Sequence, residues 1–163
     1  MTINLTTNQK GLIFYKKWVK ETRNGIIIYT PLFLFFYLGM GILIYGFSLK
    51  YILISIFPVV LILISFVRPY YSRKRYFNQL ARGISLNNNF VSIETYKWFS
   101  SDPIVGSISI NNISICEIND ISLFKGMKVH TINLNAGNEG DIYIVEDFFD
   151  GMESVLTHLY KKA

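Results

Sequence analysis

Two short clusters of lysines and aromatic residues are the part of this sequence best suited to binding chemistry. One is Tyr96-Lys97-Trp98-Phe99, and the other runs from Phe124 to His130. Aromatic rings stack on nucleobases, and lysine ammonium groups attract phosphates. The clusters predict a ligand-binding site formed by Lys97, Trp98, Lys125, Lys128 and His130. In the alternative interpretation, Trp98 and Phe99 belong to the core and the lysines are solvated turn residues.

The sequence carries no recognisable arrangement for catalysis or metal binding. Its two histidines, His130 and His158, lack metal-ligand spacing, and no phosphate-binding loop or hydrolase motif occurs. Cys116 lies in the alternating segment ISICEI, which predicts a small core residue. Acids near the start of the last predicted helix are expected to serve as caps: Glu146, Asp147, Asp150 and Glu153. We therefore expect no enzyme activity, no metal and no cofactor.

The charge of the chain is divided between two opposite halves. Only 17% of the 163 residues are charged and 51% are hydrophobic, whereas about 25% of an average soluble domain is charged. Residues 1–82 carry eleven Lys or Arg and one acid, a net charge of +10, and residues 83–163 carry five and ten, a net charge of −5. With this apolar content and one cysteine, a single soluble globule, a disordered tail and a disulfide scaffold are all disfavoured.

Two uncharged apolar runs predict a transmembrane hairpin over residues 25–68. Residues 25–49 form a run of 25 uncharged residues, which as a helix is about 37 Å long and exceeds the ~30 Å hydrocarbon core. Residues 51–67 form a second run of 17. The alternative, two buried helices of a soluble core, is disfavoured because both runs are apolar on every face. A small-residue surface on the first run would allow close helix contact: Gly39, Gly41 and Gly46.

Basic segments flank both ends of the predicted hairpin. KKWVKETR precedes it within residues 1–24, and RPYYSRKRYFNQLAR follows it through a stalk at residues 69–83, whereas the linker between the runs has only Lys50. The positive-inside rule then places both termini in the cytoplasm of a bacterial inner membrane. The basic stalk is also expected to attract anionic lipid. DNA and long RNA are not expected partners, because the domain that follows is acidic.

Alternating apolar and polar residues predict a small antiparallel β-sheet domain over residues 84–163. The expected strands are 84–86, 90–99, 106–119, 128–135 and 141–146, and the third is expected to be bent or broken at Asn111-Asn112. An amphipathic C-terminal helix is expected to carry its apolar face on Phe148, Met152, Val155, Leu156 and Leu159. The predicted fold class is thus an α+β membrane protein, with an N-terminal helical hairpin and a β-rich cytosolic domain. Because that domain is small, we expect a homo-oligomer.

The order and size of these parts resemble the small two-span membrane effectors of type III CRISPR antiphage defence. The resemblance covers the whole chain, from the basic N-terminus and two spans to the basic stalk and the small β-rich domain. It implies a cytosolic domain that binds a cyclic oligoadenylate and transmembrane helices that respond by perturbing the membrane. The binding residues do not follow from the resemblance and rest on the lysine and aromatic clusters. A symmetric ring of copies would suit such a cyclic ligand.

Two other functions fit the same order of parts. Strands followed by one amphipathic helix, here ending DIYIVEDFFDGMESVLTHLYKK, also resemble bacterial PH-like domains, which often follow two transmembrane helices. That resemblance implies a scaffold or interaction protein. The third possibility is an inner-membrane immunity protein that neutralises a toxin through contacts of its helices. Binding of a cyclic oligoadenylate, capture of a protein partner, and protection from a toxin would distinguish the three.

Overall fold

The chain folds into two units, one of which is inserted into the sequence of the other. A computed structural model describes residues 2–87, 89–99, 101–110, 113–118, 121–134 and 141–162. The first unit, here called the β unit, combines Met1–Lys16 with Arg75–Ala163, and the second, the hairpin unit, is Lys17–Lys74. The chain therefore leaves the β unit, forms the hairpin unit, and returns to the β unit.

Three helices and a π-helical turn follow one another between Gln9 and Asn78. They are α1 (Gln9–Asn24), the π turn (Gly25–Tyr29), α2 (Thr30–Tyr45) and α3 (Leu49–Asn78). The run Gln9–Tyr45 and helix α3 are both long and apolar enough to cross a membrane. Helix α2 is followed by its C-cap residue, Gly46, whose φ of +67° favours glycine. The Ser48 hydroxyl then accepts the Tyr51 N–H at 3.3 Å and so caps α3.

Within the hairpin unit, the side chain of Tyr51 fills a notch at Gly41. A Cβ on Gly41 would lie 2.1 Å from the Tyr51 Oη. The Tyr51 hydroxyl donates to the carbonyl of Leu38 at 3.0 Å. The other two glycines of the predicted small-residue surface behave differently, because a Cβ on Gly39 or Gly46 would meet nothing within 4 Å. Among these three glycines, Gly41 is therefore the one in close contact with α3.

Substitution of Gly41 by alanine is expected to lower the free energy of unfolding of the hairpin unit by about 1–2 kcal/mol, because the added methyl group displaces the Tyr51 ring. Thermal unfolding in detergent, followed by far-ultraviolet circular dichroism, measures this. Gly39→Ala is the matched control, since its methyl group enters open space. Equal melting temperatures for Gly41→Ala and Gly39→Ala would contradict the notch.

The described residues of the β unit form seven strands in two antiparallel sheets. The strands are β1 (Thr2–Thr6), β2 (Ala81–Asn87), β3 (Phe90–Thr95), β4 (Val105–Ser109), β5 (Ile113–Ile118), β6 (Val129–Leu134) and β7 (Ile142–Val145). The first sheet has the order β1-β2-β3-β4 and the second has the order β5-β6-β7. The predicted antiparallel sheet is confirmed. The predicted segment 106–119 corresponds to two strands, β4 and β5, one in each sheet, and the expected break at 111–112 lies outside the described residues.

Strand β1 lies outside the region where the sequence predicted the β domain. The pairing is antiparallel and runs from Thr2 opposite Asn87 to Thr6 opposite Gly83. Thus β1 precedes the hairpin unit and β2 follows it, and the two are hydrogen-bonded neighbours. The predicted domain began at residue 84, whereas the β unit also includes residues before the hairpin. A five-residue strand carries little periodicity, and its partner lies about 80 positions away in the sequence.

Asn8 joins the N-terminal segment to the C-terminal part of the β unit. Its Oδ1 accepts the Gly11 N–H at 3.1 Å and so caps α1, while its Nδ2 donates to the Asp147 carbonyl and to Asp150 Oδ1, both at 3.0 Å. The Asn8 N–H also donates to the carbonyl of Phe148 at 2.7 Å. The first turn of α1 is therefore held by hydrogen bonds from its cap.

Helix α4 (Met152–Lys162) contributes buried apolar side chains to the core of the β unit. The five apolar residues predicted to share one face of the amphipathic segment are all buried: Phe148, Met152, Val155, Leu156 and Leu159. This confirms the predicted C-terminal amphipathic helix. Aromatic rings from α1 complete the core, because Phe14 lies 5.1 Å from Phe148 and 5.7 Å from Phe124, measured between ring centroids.

Candidate functional site

Trp98, the proposed stacking residue, is held inside the β unit. Its side chain is 0% exposed, and its ring lies parallel to that of Phe77 at a centroid distance of 4.7 Å and an interplanar angle of 3°. The backbone turns sharply after it, since Phe99 adopts a left-handed φ of +53°. The Trp98 N–H donates to the Ser101 hydroxyl at 3.2 Å, which holds this turn. The ring therefore offers no open face for a nucleobase.

The three lysines of the predicted site are exposed. Lys97 follows β3, and its carbonyl accepts a hydrogen bond from the Tyr15 hydroxyl. Lys125 follows a short 3₁₀ turn, Ser122–Phe124, whereas Lys128 immediately precedes β6 and lies 3.9 Å from a Glu146 carboxylate oxygen. Exposed pairs of this kind contribute little to stability. Lys125 and Lys128 are accessible to an anion, but the aromatic ring assigned to accompany them is not.

His130, the last residue of the predicted site, is 3% exposed and is hydrogen-bonded through both ring nitrogens. Its Nε2 lies 2.6 Å from Glu146 Oε1, and its Nδ1 lies 3.0 Å from the Tyr160 hydroxyl. Burial, followed by the nearby negative charge of Glu117, raises the pKa of Tyr160. The Tyr160 hydroxyl therefore keeps its proton at neutral pH, and in the His130 tautomer with hydrogen on Nε2 it donates to Nδ1 while Nε2–H donates to Glu146. This network ties β6 to α4.

Two smaller predictions from the sequence are corrected by the structure. Cys116 is exposed on β5 rather than buried in the core. In the alternation of that strand Ile113 is buried, and Cys116, three positions later, falls on the opposite face. Glu153 lies in the first turn of α4, as expected. Glu146 instead pairs with His130 and Lys128, and Asp150 accepts a hydrogen bond from Asn8.

A second arrangement of polar and aromatic groups, in the hairpin unit, has no counterpart among the predicted site residues. The guanidinium carbon of Arg73 lies 4.3 Å from the centroid of the Trp18 ring, and Arg73 Nη1 donates to Thr22 Oγ1 at 2.7 Å. The sequence places both residues in basic flanking segments, where each can be explained by topology alone. Their 55-residue separation hides the contact.

Together these observations define a protein of helices and antiparallel sheets with two apolar helices long enough to cross a membrane. Comparison with protein-family models, with curated proteins and with solved structures gave no match. The described residues contain no group of three or more His, Cys, Asp or Glu side chains placed to hold a metal ion.

Proposed function

We propose that this chain is a membrane-anchored interaction protein, in which the hairpin unit inserts into the bacterial inner membrane and a PH-like β unit holds a protein partner at the cytoplasmic surface. The observation that carries the proposal is the pairing of β1 with β2 across the inserted hairpin. The structure also has the antiparallel strands and the single C-terminal helix on which the resemblance to PH-like domains rests.

The exposure of the two apolar helices supports their insertion into lipid. Only 11% of the most apolar window of each helix is buried, whereas a core helix of a soluble protein hides most of its apolar side chains. Large side chains point outward along both helices, for example Phe35, Leu43 and Phe57. Such a surface is favourable in hydrocarbon and costly in water.

The path of the chain supports the placement of both ends of the hairpin unit on the same side of the membrane. Because β1 and β2 exchange backbone hydrogen bonds, the segments that precede and follow the hairpin unit belong to one folded domain. A domain on one side of a membrane requires an even number of crossings between those segments, and two helices satisfy this. The excess of Lys and Arg in both flanks then favours the cytoplasmic side.

Strand β4 offers a place for a partner to bind. Among the described strands it has β3 as its single neighbour, and its sequence, VGSIS, has no charge. Its first residue, Val105, is 70% exposed. Natural proteins usually protect such an edge with charges or proline, and an unprotected edge is suited to pairing with an extended segment of another protein.

We expect a photo-crosslinking residue at Val105 to capture one defined protein in living cells. The same residue at Lys125, which is also exposed, is the control and should not capture it. A second substitution, Ser107→Pro, removes a backbone donor from β4 and should reduce the cross-link from Val105. Alkaline extraction of the membranes should leave the full chain in the pellet in every case.

Three results would contradict the proposal, and each bears on a different part of it. Release of the chain by alkaline extraction would refute anchoring by the hairpin. Access of an external protease to the β unit in intact spheroplasts would refute the cytoplasmic orientation. Equal capture from Val105 and Lys125, or no capture from either, would refute the role of β4.

Binding of a cyclic oligoadenylate stays a prediction for the same chain. The exposed lysines support it, since an anion could reach Lys97, Lys125 and Lys128. The burial of Trp98 and His130 removes the two ring systems that would have stacked on bases. The homo-oligomer, expected because the β-rich domain is small, also stays a prediction.

A further inference from the structure

Arg73 is fixed in place by two contacts within the hairpin unit. Its guanidinium group stacks over the Trp18 ring at 4.3 Å, and one of its N–H groups donates to Thr22 at 2.7 Å. A guanidinium group carries five N–H donors in a planar fork. The Thr22 bond engages one of these donors, and the planar fork can bind a ligand whose oxygens lie in its plane.

A cavity of about 330 Å³ lies beside this guanidinium group. Its lining includes Asn24, Gly25 and Tyr29, at and within the π-helical turn, and Phe66 and Pro69 on α3. Departures from α-helical geometry often occur at functional positions. The cavity therefore combines a cation and an amide with apolar walls, and it lies at the boundary between the basic flanks and the apolar runs.

We propose that this cavity binds the phosphate group of a membrane phospholipid, with Arg73 as its main ligand. Phosphate oxygens match the guanidinium fork and can accept two parallel hydrogen bonds. The apolar walls suit the glycerol and the first methylene groups of the acyl chains. Basic pockets between transmembrane helices on the cytoplasmic side are suitable sites for lipid headgroups. This inference rests on the proposed membrane anchoring.

The position of Glu21 adds a preference among headgroups. It lines the same cavity and is the one acid in residues 1–82. A headgroup that bears an ammonium next to its phosphate can contact both Glu21 and Arg73 with opposite charges, whereas a glycerol headgroup offers Glu21 no positive charge. We therefore expect phosphatidylethanolamine to bind more tightly than phosphatidylglycerol.

Native mass spectrometry of the full chain, released from detergent micelles containing one lipid at a time, tests the site. Arg73→Gln should weaken binding of phosphatidylethanolamine by about tenfold, the effect of losing one charged hydrogen-bonded contact. Arg68→Gln, an exposed arginine of the same helix outside the cavity lining, should bind as the unmodified chain does. Asn24→Asp is nearly isosteric and should also weaken binding, because it places a negative charge beside the phosphate.

The outcomes separate this site from the anchoring on which it rests. Binding by Arg73→Gln and Asn24→Asp equal to that of Arg68→Gln would overturn the site, even if all three variants resist alkaline extraction. Retention of inorganic phosphate at the same concentration, in the absence of lipid, would overturn the assignment to a phospholipid. Loss of all variants from the membrane fraction would instead refute the anchoring.

Discussion

Replacement of Trp98 by alanine is expected to lower the free energy of unfolding of the β unit by about 3–5 kcal/mol. The ring is fully buried, and it stacks on Phe77 and contacts Phe99 at a centroid distance of 5.0 Å. Its removal leaves a cavity among aromatic side chains that come from distant parts of the chain. A domain of this size has little stability to spare, so partial unfolding at ambient temperature is the expected result.

Chemical denaturation of the full chain in detergent, followed by near-ultraviolet circular dichroism, measures this loss. Lys97→Ala is the matched control, because its side chain is exposed beside Trp98, and its denaturation midpoint should match that of the unmodified chain. Trp98→Phe should recover part of the lost stability. If Trp98→Ala kept full stability but abolished binding of a cyclic oligoadenylate, Trp98 would be a ligand-binding residue and its assignment to the core would be wrong.

Replacement of Gly11 by alanine is expected to destabilise the β unit by about 1–3 kcal/mol, although alanine is the better helix former. A Cβ at this position would lie 2.3 Å from Thr7 Cγ2 and 2.8 Å from Phe148 Cβ. Phe148 is buried in the core and cannot move aside freely. The first turn of α1 must therefore shift away from the C-terminal segment, which also strains the hydrogen bonds of Asn8.

Limited proteolysis and thermal unfolding of the full chain measure the effect of Gly11→Ala. Gly39→Ala is the control, because it adds the same methyl group to the same helical run, where nothing lies within 4 Å. We expect earlier cleavage near the N-terminus for Gly11→Ala only. Identical cleavage rates for the two variants would show that the N-terminal segment does not pack against Phe148, and would separate β1 from the β unit.

The large-scale organisation of this chain could be predicted because it depends on long, redundant patterns. The uncharged runs at 25–49 and 51–67 correspond to the two long apolar helices. The alternation after Ile84 corresponds to antiparallel strands, and the spacing of apolar residues from Phe148 to Leu159 corresponds to helix α4. In each case many residues repeat the same signal, so an error at one position changes little.

The candidate site depends on single residues, and the type of one residue does not distinguish a ligand-binding position from a core position. Trp98 beside Lys97 suits a ligand as well as a core, and only the stacking of its ring on Phe77 distinguishes the two. His130 has no local partner in the sequence, because Glu146 and Tyr160 reach it from elements 16 and 30 residues away. A short motif does not show which side of a strand or turn is covered by distant parts of the chain.

The sharp division of charge and the two apolar runs follow from the order of residues in the sequence and are independent of how the chain folds. The membership of β1 in the sheet, the notch at Gly41 and the stacking of Arg73 on Trp18 depend on residues brought together by folding. Hydropathy acts on each residue separately and adds along the chain, so it can be summed from the sequence. Contact energies depend on pairs at short distance, and for pairs far apart in the chain that distance exists only in the folded molecule.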